Sequence, residues 1–308
     1  MRAGPRSFSS GVKMDWRSLA MGIGFALMWS SAFTTGRMIV MDAPPLHALA
    51  LRFLLAGVIG VAIAAAMGQS ARLTRAQWRG TILFGILQNV IYLGCNFVAM
   101  QWIAASLTSI IASTMPLVVA LAGWLFLGDR VRPLGIAGLA AGLAGTMIIM
   151  GSRLSGGAEP VAVALCLVAV MALAFAALAV KGAAGGGNLL MVVGLQMLVG
   201  AVGLGTVALL FEPWHITMSP RLVWAFLYTT LIPGLLATWI WFALVGRIGA
   251  VRASTYHFLN PFFGVLIAAA LLDEPVGRWD VVGVLIVAAG ILAVQISKTR
   301  NIENGTRT

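Results

Sequence analysis

Charge is scarce in this 308-residue chain. Only 9% of its residues are Asp, Glu, Lys or Arg, where a soluble domain carries about 25%. Too little polar surface exists to face water, and with 60% hydrophobic residues and a mean hydropathy of +0.99 the solvent has to be lipid. Negative charge is scarcest. The nine acids, Asp15, Asp42, Asp129, Glu159, Glu212, Asp273, Glu274, Asp280 and Glu303, all fall in loops, termini or the ends of apolar runs. A mid-membrane carboxylate is the group that trades a proton for an organic cation, so its absence counts against a quaternary-ammonium drug pump. It also leaves no acid dyad for hydrolysis inside the membrane. The two cysteines, Cys95 and Cys166, lie inside apolar runs and offer neither a disulfide framework nor metal-ligand spacing. Of three histidines, His47 and His215 sit near span ends and only His257 is mid-span, without a second titrating group beside it. No metal, cofactor or membrane-embedded catalytic pair is expected.

The net charge of +11 is spread over short segments between apolar runs, which reads as membrane topology and not as nucleic-acid binding. A helix needs about 20 apolar residues to cross the hydrocarbon. Runs of that length lie near 18–38, 46–67, 80–99, 104–127 and 133–151, then near 160–180, 188–211, 222–245, 250–272 and 279–297. The stretches 80–127 and 222–272 are each too long for one crossing and are split at Met100-Gln101-Trp102 and Gly246-Arg247. The basic start, Met1 to Lys13, precedes an apolar run as in a signal peptide, but no small-residue cleavage site follows, so an uncleaved first span is expected. Ten spans with both termini cytoplasmic put 15 Lys and Arg inside and 4 outside, with Arg52 left within a span. The positive-inside rule asks for that asymmetry. Trp16, Trp78, Trp102, Trp214, Trp224 and Trp279 fall at span ends, as an aromatic belt requires.

The chain repeats itself at an offset of 145 residues. Ala105 meets Ala250, Ser109 meets Ser254, Pro116 meets Pro261, Asp129 meets Glu274, Gly138 meets Gly283 and Gly145 meets Gly290. At an offset of 144, Leu51-Arg52 meets Leu195-Gln196. Each half has an odd number of spans, so the second lies upside down relative to the first. The expected fold is therefore an all-α integral membrane protein of ten transmembrane helices in two inverted five-helix repeats. It divides into a tail 1–17, a first repeat 18–151, a second repeat 160–297 and a tail 298–308. Transporters that alternate access around a site at the repeat interface are built this way.

The segment from Ala104 to Arg132, with Pro116 mid-helix and Leu127-Gly128-Asp129-Arg130 at its end, resembles the EamA domain of the drug/metabolite transporter superfamily. So do Ala250 through Asn260-Pro261 to Asp273-Glu274-Pro275, Leu27-Met28-Trp29-Ser30-Ser31-Ala32-Phe33, and Leu51-Arg52-Phe53. The resemblance covers essentially the whole chain as two copies. It implies ten helices, cytoplasmic termini and a central cavity lined by both halves. Members export amino acids and other metabolites, and one bacterial branch exports aromatic amino acids. Asp129-Arg130 departs from the usual Glu-Arg.

Several residues are candidates to face a cargo. Arg52 is the one fully embedded basic side chain, and a charge at the bilayer centre costs about 2.5–3.5 kcal/mol on insertion scales. It either snorkels to the outer surface as an anchor or meets a substrate carboxylate. Asn89, Tyr92 and Asn96 recur on one helical face, as helix glue or cavity lining. Tyr256, His257 and Asn260 cluster on the ninth span, where Pro261 frees a backbone carbonyl; interhelical hydrogen bonding and cavity lining are the two readings. Trp29, Trp239 and Trp241 lie too deep for the belt and serve either core packing or a stacking wall. Pro116, Pro233-Gly234 and Pro261 are kinks that either fit local packing or act as hinges. One arginine, one histidine, amides, hydroxyls and deep tryptophans suit a carboxylate on an apolar body. The expectation is an inner-membrane exporter of small metabolites, best an amino acid with an apolar or aromatic side chain. Drugs, nucleotide sugars and sugar phosphates are the alternative cargoes; for a sugar phosphate more embedded lysines or arginines would be needed.

Overall fold

Proline opens helices here. Pro45, Pro133, Pro160 and Pro220 each stand in a first turn, where the missing N–H had no intrahelical partner. The computed structural model describes residues 16–119, 121, 133–155, 159–183, 187–248, 253 and 255–305. The first repeat holds α1 (Trp16–Asp42), α2 (Pro45–Ala66), α3 (Arg75–Ala99), α4 (Ala105–Val119) and α5 (Pro133–Ser155). The second holds α6 (Pro160–Ala183), α7 (Leu189–Phe211), α8 (Pro220–Ile248), α9 (Asn260–Leu272) after a short 3₁₀ segment Thr255–Leu259, and α10 (Arg278–Gly305). Of these, α1, α2, α3, α6, α7 and α8 are long and apolar enough to cross a membrane within the described residues. The fold is all-α.

Three boundaries differ from the sequence reading. Helix α3 begins at Arg75, five residues before its apolar run, because Thr74 and Gln77 form a capping box that holds a polar first turn. Helix α8 runs through Ile248, past the split expected at Gly246-Arg247, and residues 249–252 lie outside those described. Helix α10 continues to Gly305, since nothing from Lys298 to Asn304 breaks a helix once it has left the hydrocarbon. The turn Asp129-Arg130, and with it the expected match to Asp273-Glu274, also lies outside the described residues.

Hydrogen bonds between helix ends fix which ends share a face. On one face, the Glu212 carboxylate accepts from the amides of Leu46 (3.1 Å) and His47 (2.8 Å), closing the first turn of α2. There too Asp42 pairs with Arg221 at 3.0 Å, and Glu274 accepts from Ala105 N at 2.8 Å and Ser106 N at 3.1 Å. On the opposite face, Gln69 Oε1 accepts from Met191 N (3.0 Å) at the start of α7, and Arg247 Nε donates to Ser18 Oγ (3.0 Å). Helix α1 therefore starts on the Gln69 face, while α6 starts on the Glu212 face, where Ala162 and Val163 pack with Ala99 and Ile103. The two halves are inverted.

The pseudo-twofold is visible in packing. Helix α2 lies along its counterpart α7, and α5 along α10. A Cβ on Gly145 would stand 2.9 Å from Gly283 O, and one on Gly290 would stand 2.5 Å from Gly138 O. The two glycine pairs matched by sequence offset are thus one reciprocal crossing, where only hydrogen lets the backbones meet. Helix α3 changes to π-helical winding over Gly85–Leu93, and α8 over Thr230–Leu236, which contains Pro233 and Gly234. These two segments begin 145 residues apart, as the repeat requires. The chain also leaves α-helical winding at Ser113-Thr114 before Pro116 and over Thr255–Leu259 before Pro261. Serine and threonine turn to the carbonyls there: Ser113 Oγ donates to Ile110 O (2.6 Å), Thr114 Oγ1 to Ile111 O (2.7 Å) and Ser109 Oγ to Asn260 O (3.1 Å).

Candidate functional site

Both π-helical segments open onto one cavity between the repeats. Trp29, Ala32 and Phe33 of α1 line it with Arg52 and Phe53 of α2. Helix α3 adds Gln88, Asn89, Tyr92, Leu93, Asn96, Phe97 and Met100, and α8 adds Pro233 and Thr238. It is tight: its free volume is about 20 Å³, room for a water or two. Toward the Glu212 face, α1 and α3 close up where Gly36 meets Phe97 and Met100, and Arg37 Nη1 donates to Met100 O. Toward the Gln69 face, Phe25, Trp29, Trp241 and His257 fill the space between α1, α8 and α9.

Arg52 does not snorkel. It is 3% exposed, and its guanidinium carbon lies 4.6 Å from the Phe53 ring centre and 5.7 Å from that of Phe97. Both distances lie within cation–π range. Its Nε and the hydroxyl of Tyr92 are buried without a hydrogen-bond partner. Both residues line the cavity, neither atom has an acceptor, and among the described residues no carboxylate lies on the wall.

Asn89, Tyr92 and Asn96 all reach the wall. Asn89 Nδ2 is already committed to Gln196, donating to its backbone O at 2.9 Å and to Oε1 at 2.5 Å. Asn96 Nδ2 donates to Tyr92 O at 2.8 Å. Both amides turn their nitrogens into the protein. Trp29 lines the cavity and its indole stands parallel to Tyr92, ring centres 6.3 Å apart.

His257 and Asn260 sit beside the cavity, not on its wall. Asn260 Oδ1 accepts from Ser30 Oγ (3.2 Å), and Nδ2 lies 2.9 Å from His257 Nδ1. The imidazole is boxed by Trp241 (5.1 Å), Phe25 (5.2 Å) and Trp29 (5.9 Å). Tyr256 packs its ring against Gly22 of α1, away from the cavity. Trp239 is not part of the site. It is 41% exposed and stands among Met67, Leu190, Leu231, Leu235 and Leu236 on the outer surface. Two residues apart on a helix point about 200° apart, so Trp239 and Trp241 cannot both face inward.

Sequence reasoning missed Gln88, Phe53 and Phe97. Each adjoins a residue that it had singled out, and a buried amide next to Asn89 was the one signal available. Gln196, aligned with Arg52 by the 144-residue offset, is the α7 partner that holds Asn89.

The sequence profile of the EamA-like transporter family matches residues 16–151 and again residues 160–296. This chain belongs to that family. Among relatives, this EamA-like transporter is 23% identical over 269 residues to the uncharacterized transporter YvbV of Bacillus subtilis, covering 87% of this chain and 88% of that one. It is 27% identical over 287 residues to the uncharacterized inner membrane transporter YedA of Escherichia coli K12, covering 89% and 90%. It is 31% identical over 151 residues to the aromatic amino acid exporter YddG of Ancylobacter novellus, covering 46% of this chain and 49% of that one. One crystal structure shares the fold with a TM-score of 0.69 at 21% identity, over 92% of this chain and 98% of the other.

Proposed function

We propose that this chain exports small carboxylate-bearing metabolites, foremost amino acids with apolar or aromatic side chains, by alternating access around the cavity between its repeats. One observation carries the reading. Arg52 is buried and uncompensated on the wall of an otherwise aromatic and amide-lined space. An unpaired buried cation is expensive, and its cost is offset when an anionic cargo arrives. Trp29, Phe33, Phe53, Tyr92 and Phe97 supply faces for an apolar body. A single arginine suits one carboxylate better than the several charges of a sugar phosphate. The narrow cavity, packed on both sides, suits an occluded form, and transport, not catalysis, is the activity it supports. Pro233-Gly234 and the breaks before Pro116 and Pro261 serve as the hinges in this reading.

Counterflow of radiolabelled phenylalanine or tryptophan into amino-acid-loaded proteoliposomes tests it. Accelerated, saturable uptake is expected. Absence of exchange with every apolar and aromatic amino acid overturns it.

We further propose an orientation in the inner membrane, on the basis of charge. Among the described residues the Gln69 face carries Arg17, Arg72, Arg75, Arg79 and Arg247, and the opposite face carries Arg37, Arg221 and Arg278 beside the acids Asp42, Glu159, Glu212, Asp273, Glu274 and Asp280. The excess of arginine on the Gln69 face supports reading that face, and both termini with it, as cytoplasmic. A cysteine at Thr217 is expected to react with an impermeant maleimide in intact spheroplasts, and one at Ser70 only after lysis. The reverse pattern overturns the orientation.

A further inference from the structure

The cavity treats the two ends of an amino acid unequally. For a carboxylate it holds the buried Arg52 guanidinium, whose Nε has no acceptor, and the buried Tyr92 hydroxyl, which neighbours the Trp29 indole and has no acceptor for its own proton. For an ammonium it holds no opposite charge among the described residues. The sequence adds none in mid-span, since all nine acids fall at span ends, in loops or in tails. What remains for an ammonium is neutral: the side-chain oxygens of Gln88, Asn89, Asn96 and Thr238, and ring faces. Two of those rings, Phe53 and Phe97, are already occupied by the arginine. A second cation beside the same rings meets repulsion from Arg52.

We infer that this transporter recognises its cargo by the carboxylate and the apolar body and does not read the α-amino group, so that aryl-alkanoate anions lacking the amine are also carried. The inference rests on the cavity being the cargo site, as proposed above. Its physical basis is the balance of interactions at each end. Only the carboxylate meets an opposite charge: it forms an ion pair and charge-assisted hydrogen bonds with Arg52, whereas the ammonium can donate only to neutral oxygens. At the amine, contacts with neutral oxygens offset part of the cost of desolvating the ammonium, so the amine adds little to binding. A site built to read the amine would leave a buried carboxylate unpaired whenever the amine was missing, and so would reject the analogue strongly. No such group lies on this wall.

The test uses the wild-type protein in proteoliposomes preloaded with phenylalanine, with labelled phenylalanine outside and three unlabelled competitors. These are phenylalanine, 3-phenylpropionate (amine removed) and 2-phenylethylamine (carboxylate removed). The expected inhibition constant of 3-phenylpropionate is within about threefold of that of phenylalanine, and that of 2-phenylethylamine is weaker by about tenfold or more. Labelled 3-phenylpropionate is then expected to show counterflow itself, which separates a carried cargo from a blocker. If phenylalanine exchanges but 3-phenylpropionate neither competes nor moves, the inference fails while the amino-acid reading stands. If 3-phenylpropionate exchanges in vesicles preloaded with itself and phenylalanine does not, the amine is read as a group to exclude, and the inference falls together with the amino-acid reading. If 2-phenylethylamine competes as well as phenylalanine, carboxylate recognition itself is wrong.

Discussion

Arg52→Met is expected to lower amino-acid counterflow by roughly 10- to 100-fold, the loss of one or two charge-assisted hydrogen bonds, while leaving the folded protein at least as stable as before. The second half of that expectation is the more telling. A buried arginine with an unpartnered Nε and no carboxylate near it is a burden on the empty protein. An unbranched apolar side chain of similar length removes a cost of about 2 kcal/mol or more. Thermal unfolding in detergent should therefore shift upward by a few degrees. The stabilisation that wild type gains from millimolar phenylalanine should vanish in the variant. Arg52→Lys keeps the charge but loses the planar fork and is expected to fall between the two. Were Arg52 only a helix anchor, the methionine variant would unfold earlier and still bind cargo. Measuring stability with and without ligand separates these outcomes.

The largest effect on folding is expected at Gly290. A Cβ there would stand 2.5 Å from Gly138 O and 2.6 Å from Gly142 N, both backbone atoms of the facing helix α5. No side chain can swing aside, so α5 and α10 have to move apart along their crossing. Gly290→Ala is expected to cost about 3 kcal/mol, the upper end of ordinary overpacking. Gly24→Ala is the comparison, because its nearest neighbour would be Met28 Cε at 4.0 Å. That change is expected to be neutral or slightly stabilising through helix propensity. Thermal unfolding of both variants in the same detergent checks the contrast, and equal midpoints would mean that the crossing is not tight.

Much of this architecture can be read from the chain because lipid imposes strong rules. The distribution of arginines, the span lengths and the offset prolines each reflect a physical constraint of the bilayer, and together they give ten helices and the inversion. Other features leave no such trace. Pro233 advertises the irregular winding of α8, but nothing in Gly85–Leu93 advertises the same winding in α3 except its place in the repeat. The side on which Arg52 points is hidden for a different reason. Helix α2 is apolar all round, so it has no polar stripe to mark which face is inward. Only packing shows that Leu49, Arg52, Phe53 and Ala56 turn in while Leu51, Leu54, Leu55 and Val58 turn out. The same limit put Trp239 on the wrong side. Depth within a span can be counted from sequence, whereas azimuth needs a neighbour.

The end-to-end caps impose an order on biosynthesis. The first turn of α2 is closed by Glu212, 166 positions further along than Leu46, and that of α4 by Glu274, 169 positions after Ala105. When the opening five helices have left the ribosome, those amides have only water to accept from them, and their carboxylates arrive with the later helices. The early half is thus held in an unfinished state in the bilayer, and it closes only when its own mirror image arrives to complete it.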